Sequence, residues 1–192
     1  RPMRSVRQIW RTDRMGRGGD QVPFLQKGYP AIRFSVGVED YDHQHQDIRT
    51  EDGVFYGDTI EEMDFAYLAG VTKLNVRALD ALARAPMPPK VTVDAAVRVD
   101  TELKWQAVPG ASLYSIATRA TDQPEWGGDM TLVYLDGPDA ANEAASAEGQ
   151  QFTHIKKLRG DDWMFGVAAC AGEYCSPVSS AVPGGAFEPV GK

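Results

Sequence analysis

The chain has 192 residues, enough for one large domain or two small ones, and its apolar and charged fractions are ordinary for a globular protein. It contains no run of 18 apolar residues, so the sequence predicts no membrane span. The net charge of −7 is concentrated in residues 88–192, where 14 acidic side chains oppose 8 basic ones. This acidic balance argues against a nucleic-acid partner.

Residue 1 is Arg, and no leader peptide is recognisable. We therefore expect the chain to start after processing or inside a longer protein. Three prolines within residues 86–89 predict a stiff linker. The expected organisation is an α/β part at residues 1–85, a linker at 86–90, an all-β part at 91–184 and a tail at 185–192.

The first part mixes strand and helix patterns. They predict a strand at residues 5–10, a short helix at 20–27 that starts at Asp20 and stops at Gly28, and a second strand at 32–38. A polar segment at 39–58 shows little regular pattern. Because irregular loops of that length in compact domains are usually functional or disordered, this segment is a candidate for function.

A long amphipathic helix follows the polar loop. Thr59 and Glu62 have the spacing of a capping box at its start. Apolar side chains then recur every three to four residues, which predicts one stripe turned towards a core. The stripe consists of Met63, Tyr67, Val71, Leu74, Ala78 and Leu82.

After the linker, short alternating runs separated by turn residues are typical of a β-sandwich. About seven strands are predicted, marked by Val91, Val93 and Val97; by Leu103 and Trp105; by Tyr114, Ile116 and Thr118; by 131–135; by Phe152 and Ile155; by 163–169; and by 175–182. Pro109-Gly110 predicts a turn, and residues 137–149 predict a flexible loop.

The order of these motifs resembles a fibronectin type III module. The motifs are Leu103-x-Trp105, Pro109-Gly110, Tyr114-x-Ile116 and the alternating run from Trp163 to Ala169. In that family a tyrosine usually holds the place of Trp163. An indole can fill the core there but lacks the hydroxyl of the usual corner hydrogen bond.

One segment carries the residue types of a catalytic or metal site. Residues 39–47 hold two of the three histidines among several carboxylates, after a predicted strand. Neutral imidazole is a standard zinc ligand, and a neighbouring carboxylate can orient it. Taken alone, the same pattern also fits a solvated polar loop.

The surrounding motifs favour the metal interpretation. Gly18-Gly19-Asp20-Gln21, Gly28-Tyr29-Pro30, the histidine loop, Gly57-Asp58 and the long helix together resemble the C-terminal third of the M28 zinc aminopeptidases. That resemblance implies a mostly parallel sheet with two zinc ions at its edge. It also implies metal-assisted hydrolysis of a peptide's N-terminal bond, with a glutamate as general base.

The resemblance also assigns residues. The family's last histidine ligand lies in a His-x-x-x-Asp motif, which His43 and Asp47 match, with Asp47 as the orienting carboxylate. His45 is the alternative ligand. Phe55 and Tyr56 are weaker candidates for the wall of a substrate pocket.

Two departures limit what this chain can do. Gln21 stands where the family usually has a histidine. The family's upstream His-x-Asp motif, its Glu-Glu pair and its next Asp ligand are absent, and Glu61-Glu62 is expected to serve the helix start instead. We therefore expect no catalytic residue in this chain and no activity from it alone. The alternative is a non-catalytic binding module carried by the β-sandwich.

The remaining expectations follow from the resemblance. The family is exported, which implies a secreted or periplasmic protein and favours a disulfide between Cys170 and Cys175 over two free thiols. These residues flank a predicted turn, where opposed positions can bond. A peptide substrate and docking of the sandwich on the peptidase domain are the expected partners.

Overall fold

The computed structural model of the chain describes Val6, Gly16 and residues 18–123, 125–127, 131–134 and 149–183. It divides into two units, residues 1–80 and 81–192. The predicted strand at 5–10 (apart from Val6), the predicted loop at 137–148 and the predicted tail lie outside the described residues. In the described part, no helix is long and apolar enough to cross a membrane.

The first unit has few regular elements. They are helix α1 (Gln21–Gln26), strands β1 (Arg49–Glu51) and β2 (Val54–Tyr56), a 3-10 helix (Ile60–Glu62) and most of helix α2 (Phe65–Arg84). The unit boundary falls inside α2. Among the described residues of this unit, the only sheet is the two-stranded one formed by β1 and β2, so the parallel sheet of the α/β expectation is not seen.

Helix α1 lies where the sequence predicts a helix. Asp20 occupies the N-cap position, but its side chain makes no capping hydrogen bond. The amide of Gly28 donates to Leu25 O over 3.0 Å, and Gly28 adopts a φ of +81°. That conformation favours glycine and ends the helix as predicted.

The predicted strand at residues 32–38 is wrong. This segment is extended or bent but belongs to no strand, and Ile32 and Val38 are 54% and 91% exposed. An alternating pattern becomes a strand only when a neighbour supplies the backbone partners. No strand within the described residues pairs with this segment.

The polar segment is more regular than its composition suggests. Arg49 pairs with Tyr56 and Glu51 with Val54 in an antiparallel hairpin. Asp52 and Gly53 form the turn, with φ of +50° and +79°. An Asp-Gly pair is the preferred sequence for a two-residue hairpin turn whose central residues both need positive φ. The prediction of an irregular loop is therefore wrong for residues 49–56.

Helix α2 begins later than the predicted capping box. Thr59 precedes the 3-10 helix and makes no side-chain capping bond. The cap of α2 is Asp64, whose Oδ1 accepts the amide of Tyr67 over 2.9 Å, while its carbonyl accepts the amide of Leu68. The Asp64 side chain thus satisfies one amide that the helix start leaves unpaired, and its carbonyl accepts the first bond of the helix, so the capping-box prediction is wrong.

The predicted apolar stripe is the least exposed face of α2. Within the helix, its members Tyr67, Val71, Leu74, Ala78 and Leu82 are partly buried, and the other side chains are exposed. Met63 precedes the helix and is 46% exposed. No residue of α2 is fully buried.

The second unit is a sandwich of two sheets. Its strands are β3 (Val91–Asp94), β4 (Thr101–Gln106), β5 (Leu113–Ala120), β6 (Thr131–Tyr134), β7 (Gln150–Ile155), β8 (Trp163–Ala171), β9 (Tyr174–Cys175), β10 (Ser179–Ser180) and β11 (Val182–Pro183). The first sheet has the order β11-β3-β4-β7, and the second has the order β10-β8-β5-β6 with β9 also paired to β8. All pairs are antiparallel except β11 with β3.

The core lies between these sheets, as the all-β prediction requires. Buried side chains of β3 and β4 meet those of β5 and β8, and the rings of Trp105 and Tyr114 pack edge to face at 5.2 Å. The core residues are Val91, Leu103, Trp105, Tyr114, Ile116, Phe165, Val167 and Ala169. Val97, predicted to be part of the first strand, is instead fully exposed with a φ of +52°.

A tyrosine hydroxyl braces the predicted Pro109-Gly110 turn. The amide of Val108 donates to the Tyr114 hydroxyl over 2.7 Å, and the amide of Ala111 donates to Val108 O. Tyr114 is fully buried. Tyr114 thus supplies a side-chain hydroxyl to a backbone corner, a contact that Trp163 has no hydroxyl to make.

The predicted final strand at 175–182 is wrong as a single strand. It is divided into β9, β10 and β11 around Pro177 and Ala181, and it moves from the second sheet to the first. Pro177 has no amide for a ladder. The hairpin of β8 and β9 turns at Gly172, which has a φ of +60°, and a disulfide joins Cys170 and Cys175 across it.

Trp126 covers β8 from the loop after β5. A Cβ built on Gly166 would lie 3.0 Å from the Trp126 ring, 2.9 Å from Ser179 O and 2.5 Å from Val178. The glycine therefore lets both the indole and β10 approach the strand closely. This packing is the structural role that a loop tryptophan most often has.

We predict that Gly166→Ala lowers the free energy of unfolding of the sandwich by about 1–3 kcal/mol, because the Ser179 carbonyl cannot move without disturbing the β8–β10 ladder. Urea denaturation followed by tryptophan fluorescence measures it. The control is Gly70→Ala, in the middle of α2 with open space around it, which should not destabilise the chain. Equal effects of the two variants would contradict the packing argument.

We also predict that Tyr114→Phe destabilises the sandwich by about 1–3 kcal/mol, because the Val108 amide loses its acceptor. Hydrogen exchange should show faster exchange at Val108 specifically. An unchanged protection factor there would show that the hydroxyl is not the partner.

Candidate metal-ligand site around His43

A tight turn presents His43. The amide of Gln44 donates to Asp40 O over 3.0 Å, and the amide of Asp42 donates to Asp40 Oδ1 over 3.1 Å. The second bond is an Asx turn, in which an aspartate side chain imitates a backbone acceptor. Asp40 thereby fixes the backbone on both sides of His43.

Gly57 connects this turn to the end of the hairpin. Its amide donates to Asp42 O over 3.2 Å, and its carbonyl lies 3.2 Å from His43 Nδ1. Because a carbonyl only accepts, the contact requires a proton on Nδ1. In the neutral imidazole the lone pair is then on Nε2, the arrangement found in metal-ligating histidines whose other ring nitrogen is held by a carbonyl.

Only glycine fits at this position. Gly57 is buried and has a φ of +133°, outside the usual range of other residues. A Cβ there would lie 3.0 Å from the backbone of Ile48 and 2.9 Å from its side chain. The orientation of His43 thus depends on the absence of a side chain at residue 57.

Two carboxylates flank the free nitrogen of His43. Nε2 lies 4.0 Å from Asp40 Oδ2 and 3.9 Å from Glu62 Oε2, and the imidazole is 22% exposed. Two ligands of one tetrahedral zinc ion lie roughly 3.3 Å apart, given bond lengths near 2.0 Å. The two carboxylate oxygens lie slightly farther than that from Nε2. They therefore place negative charge around Nε2 but do not complete a set of metal ligands.

The hairpin places the two aromatic candidates differently. The Phe55 ring lies 6.2 Å from the His43 ring and is tilted by 45°. The guanidinium of Arg49 lies 4.1 Å above the ring of the adjacent Tyr56. Successive side chains of a strand point to opposite faces. Phe55 is therefore beside the candidate ligand, whereas Tyr56 stacks on Arg49.

His45 has a different environment from His43. It is exposed, its φ is +59°, and its amide donates to Asp58 Oδ2 over 3.0 Å. Its backbone is therefore held by Asp58. Asp47 is also exposed, and its carbonyl faces Arg49 Nη1 at 3.4 Å. The carboxylates that the structure brings to His43 are those of Asp40 and Glu62 rather than that of Asp47.

Gln21 lies in the glycine motif. A Cβ built on Gly19 would clash with the side-chain oxygen of Gln21. In the same turn, Arg33 Nη1 donates a hydrogen bond to Gly18 O over 2.6 Å. A Cβ at Gly19 would lie 2.7 Å from the same Arg33 nitrogen. Gln21 is thus packed against the turn that starts α1, which is compatible with a structural role for its amide.

Among the residues that the structure describes, no group of three or more His, Cys, Asp or Glu side chains could hold a metal ion. A zinc site usually needs at least three protein ligands, with an open position when it is catalytic. The loop can therefore supply one oriented imidazole to a zinc ion, but its described residues do not form a complete zinc site.

Sequence reasoning missed Asp40, Gly57 and Glu62 as neighbours of His43. The sequence places Glu62 at the start of a helix, whereas the structure places it in the 3-10 helix, where the chain returns to the turn. Gly57 and Glu62 are 14 and 19 positions from His43, so no local spacing reveals them. The Asp52-Gly53 turn was the one local signal that could have shown how the chain returns.

Comparisons with known proteins find relatives for part of the chain. No family model matches the chain. A probable zinc metalloprotease of Leptosphaeria maculans is 48% identical over 126 residues, which are 64% of this chain and 29% of that protein. Proteins with the same description from Pyrenophora tritici-repentis and Phaeosphaeria nodorum are 47% and 38% identical and are covered over 25% of their length. The chain thus spans less than a third of these relatives.

We predict that the neutral form of His43 carries its proton on Nδ1, because Gly57 O accepts there. Long-range ¹H–¹⁵N spectra distinguish this tautomer from the Nε2–H form. Gly57→Ala should remove the preference, while His45 keeps its spectrum. A His43 that resembles His45 in the unsubstituted chain would contradict the assigned hydrogen bond.

Proposed function

We propose that this chain is the C-terminal part of a zinc-dependent aminopeptidase of the M28 type, joined to a fibronectin III-like sandwich. The observation that carries the proposal is the His43 site: an imidazole oriented by a backbone carbonyl, with its free nitrogen beside two carboxylates. The relatives named probable zinc metalloproteases support the zinc chemistry. The two-sheet architecture of residues 91–183 supports the sandwich assignment.

In this proposal His43 would hold one zinc ion through Nε2. Gly57 fixes the ring through Nδ1, and Asp40 and Glu62 keep the surroundings of the ligand negative. Phe55 lies beside the imidazole, with the ring centroids 6.2 Å apart. The zinc ions would activate a water molecule and polarise the scissile carbonyl. The remaining ligands and the glutamate base belong to polypeptide beyond this chain, so the chain alone is inactive.

His43 is preferred to His45 as the ligand for two reasons. It matches the His-x-x-x-Asp spacing, and its Nδ1 has the carbonyl partner that metal-ligating histidines generally have. The contacts of His45 involve its backbone, which Asp58 holds, while its side chain is exposed. His45 remains the alternative ligand, and the variants His43→Ala and His45→Ala distinguish between the two assignments.

We predict that His43→Ala in the longer polypeptide removes zinc and lowers kcat/KM by about 100-fold or more, because loss of a ligand should cost at least as much as loss of a residue that only orients one, which costs about 10- to 100-fold. His45→Ala should retain the metal and most of the activity. Zinc content by mass spectrometry and cleavage of an aminoacyl p-nitroanilide measure both. Loss of zinc in His45→Ala alone would move the assignment to His45.

The isolated chain supplies the complementary test. We expect no peptidase activity from it with added zinc. Activity that disappears with a chelator and in His43→Ala would overturn the proposal that further ligands are required.

We also propose that the protein is exported. The support is the disulfide between Cys170 and Cys175, since such bonds persist in oxidising compartments and are rare in the cytosol. Thiol titration of the denatured protein, purified without reductant from its natural host, should find no free thiol. Two free thiols would count against export.

A further inference from the structure

Two buried polar groups in the sandwich have no hydrogen-bond partner among the described residues. They are the indole Nε1 of Trp105, on β4, and the side-chain Oε1 of Gln151, on β7. Trp105 is 2% exposed and Gln151 is 6% exposed. Because burial of an unpaired polar group costs free energy, two such groups in one core require a physical explanation.

The strand register brings the two side chains together. Trp105 and Gln151 are directly opposed in the antiparallel β4–β7 pair. Directly opposed side chains project from the same face of a sheet, with their Cβ atoms roughly 5 Å apart. Trp105 belongs to the core between the sheets, so Gln151 projects into that core as well. The ring of Tyr114 packs edge to face on the indole at 5.2 Å and holds its position.

The two groups are chemically complementary. An indole N–H can only donate a hydrogen bond, and an amide oxygen can only accept one. Exchange of the oxygen and nitrogen of the Gln151 amide would leave two donors beside each other. No direct hydrogen bond joins Trp105 Nε1 to Gln151 Oε1. The group that satisfies both atoms must therefore accept from the indole and donate to the amide.

This requirement selects the class of ligand. A cation could bind the oxygen of Gln151 but would be repelled by the indole N–H. An anion could accept from the indole but would be repelled by the amide oxygen. A water molecule has both lone pairs and hydrogens to offer, and buried waters typically bond to polar groups that the protein leaves unsatisfied.

We propose that a buried water molecule bridges Trp105 Nε1 and Gln151 Oε1 inside the sandwich. It accepts a hydrogen bond from the indole and donates one to the amide oxygen. Among the described strands, β7 pairs only with β4, so the bridge joins an edge strand to its neighbour from within the core. A one-residue slip of β7 would turn Gln151 away from the indole, so the bridge also favours the observed register. The site is independent of the proposed zinc chemistry.

The test is a water-selective NOE and ROE experiment on the ¹⁵N-labelled chain of 192 residues. The Trp105 indole proton should show water cross-peaks of opposite sign in the two spectra, the signature of a long-lived contact rather than of proton exchange. Gln151→Met keeps an unbranched side chain of similar length but removes the amide oxygen, and it should abolish these peaks.

The matched control is Gln150→Met. Gln150 precedes Gln151 on β7 and projects to the opposite face of the sheet, so this variant should keep the water contact of Trp105. Persistence of the contact in Gln151→Met would overturn the bridge. Absence of a long-lived water contact at Trp105 in the unsubstituted chain would overturn it as well, and that result needs no variant to fold.

Discussion

The pair of hydrogen bonds at Gly57 is the constraint on which the candidate site depends. One ties the amide of Gly57 to Asp42 O, and the other ties its carbonyl to His43 Nδ1. Together they hold the end of the hairpin against the turn that carries the histidine. The Asp52-Gly53 turn brings the chain back to that point, and the buried Gly57 allows the approach because it has no side chain. Local backbone chemistry at three glycine or aspartate positions thus sets the direction of one imidazole.

The two units differ in how they obtain stability. The sandwich buries a continuous core between two sheets and closes its last hairpin with a disulfide. The first unit has a two-stranded hairpin and helices without a buried residue. Small sheets and single helices rarely remain stable without further packing. The difference explains why the function proposed for this chain is a contribution to a larger protein.

Sequence reasoning predicted features that depend on local patterns. Alternation located six of the sandwich strands, β3 to β8, and spacing identified the less exposed face of α2. The turn between Cys170 and Cys175 lies where the sequence predicts it, and Gly172 adopts a positive φ there. Asp52-Gly53 is the same kind of local signal and forms the hairpin turn in the polar segment.

Features that depend on distant partners could not be read in the same way. The strand at 32–38 needed a neighbour, and the last strand changes sheets because of where β8 and β3 lie. Glu62 reaches His43 because the chain folds back, and a helix-start interpretation was the better local explanation for it. Thr59 and Asp64 are both residue types that cap helices. The choice between them depends on where the first turn of α2 lies, which the sequence does not show.

We propose that this chain offers one zinc ligand and not a zinc site. A calorimetric zinc titration of the 192-residue chain, with His43→Ala as the reference, tests this proposal most directly. We expect no saturable binding in the micromolar range for either protein. One zinc ion bound tightly per chain, and lost in His43→Ala, would contradict it.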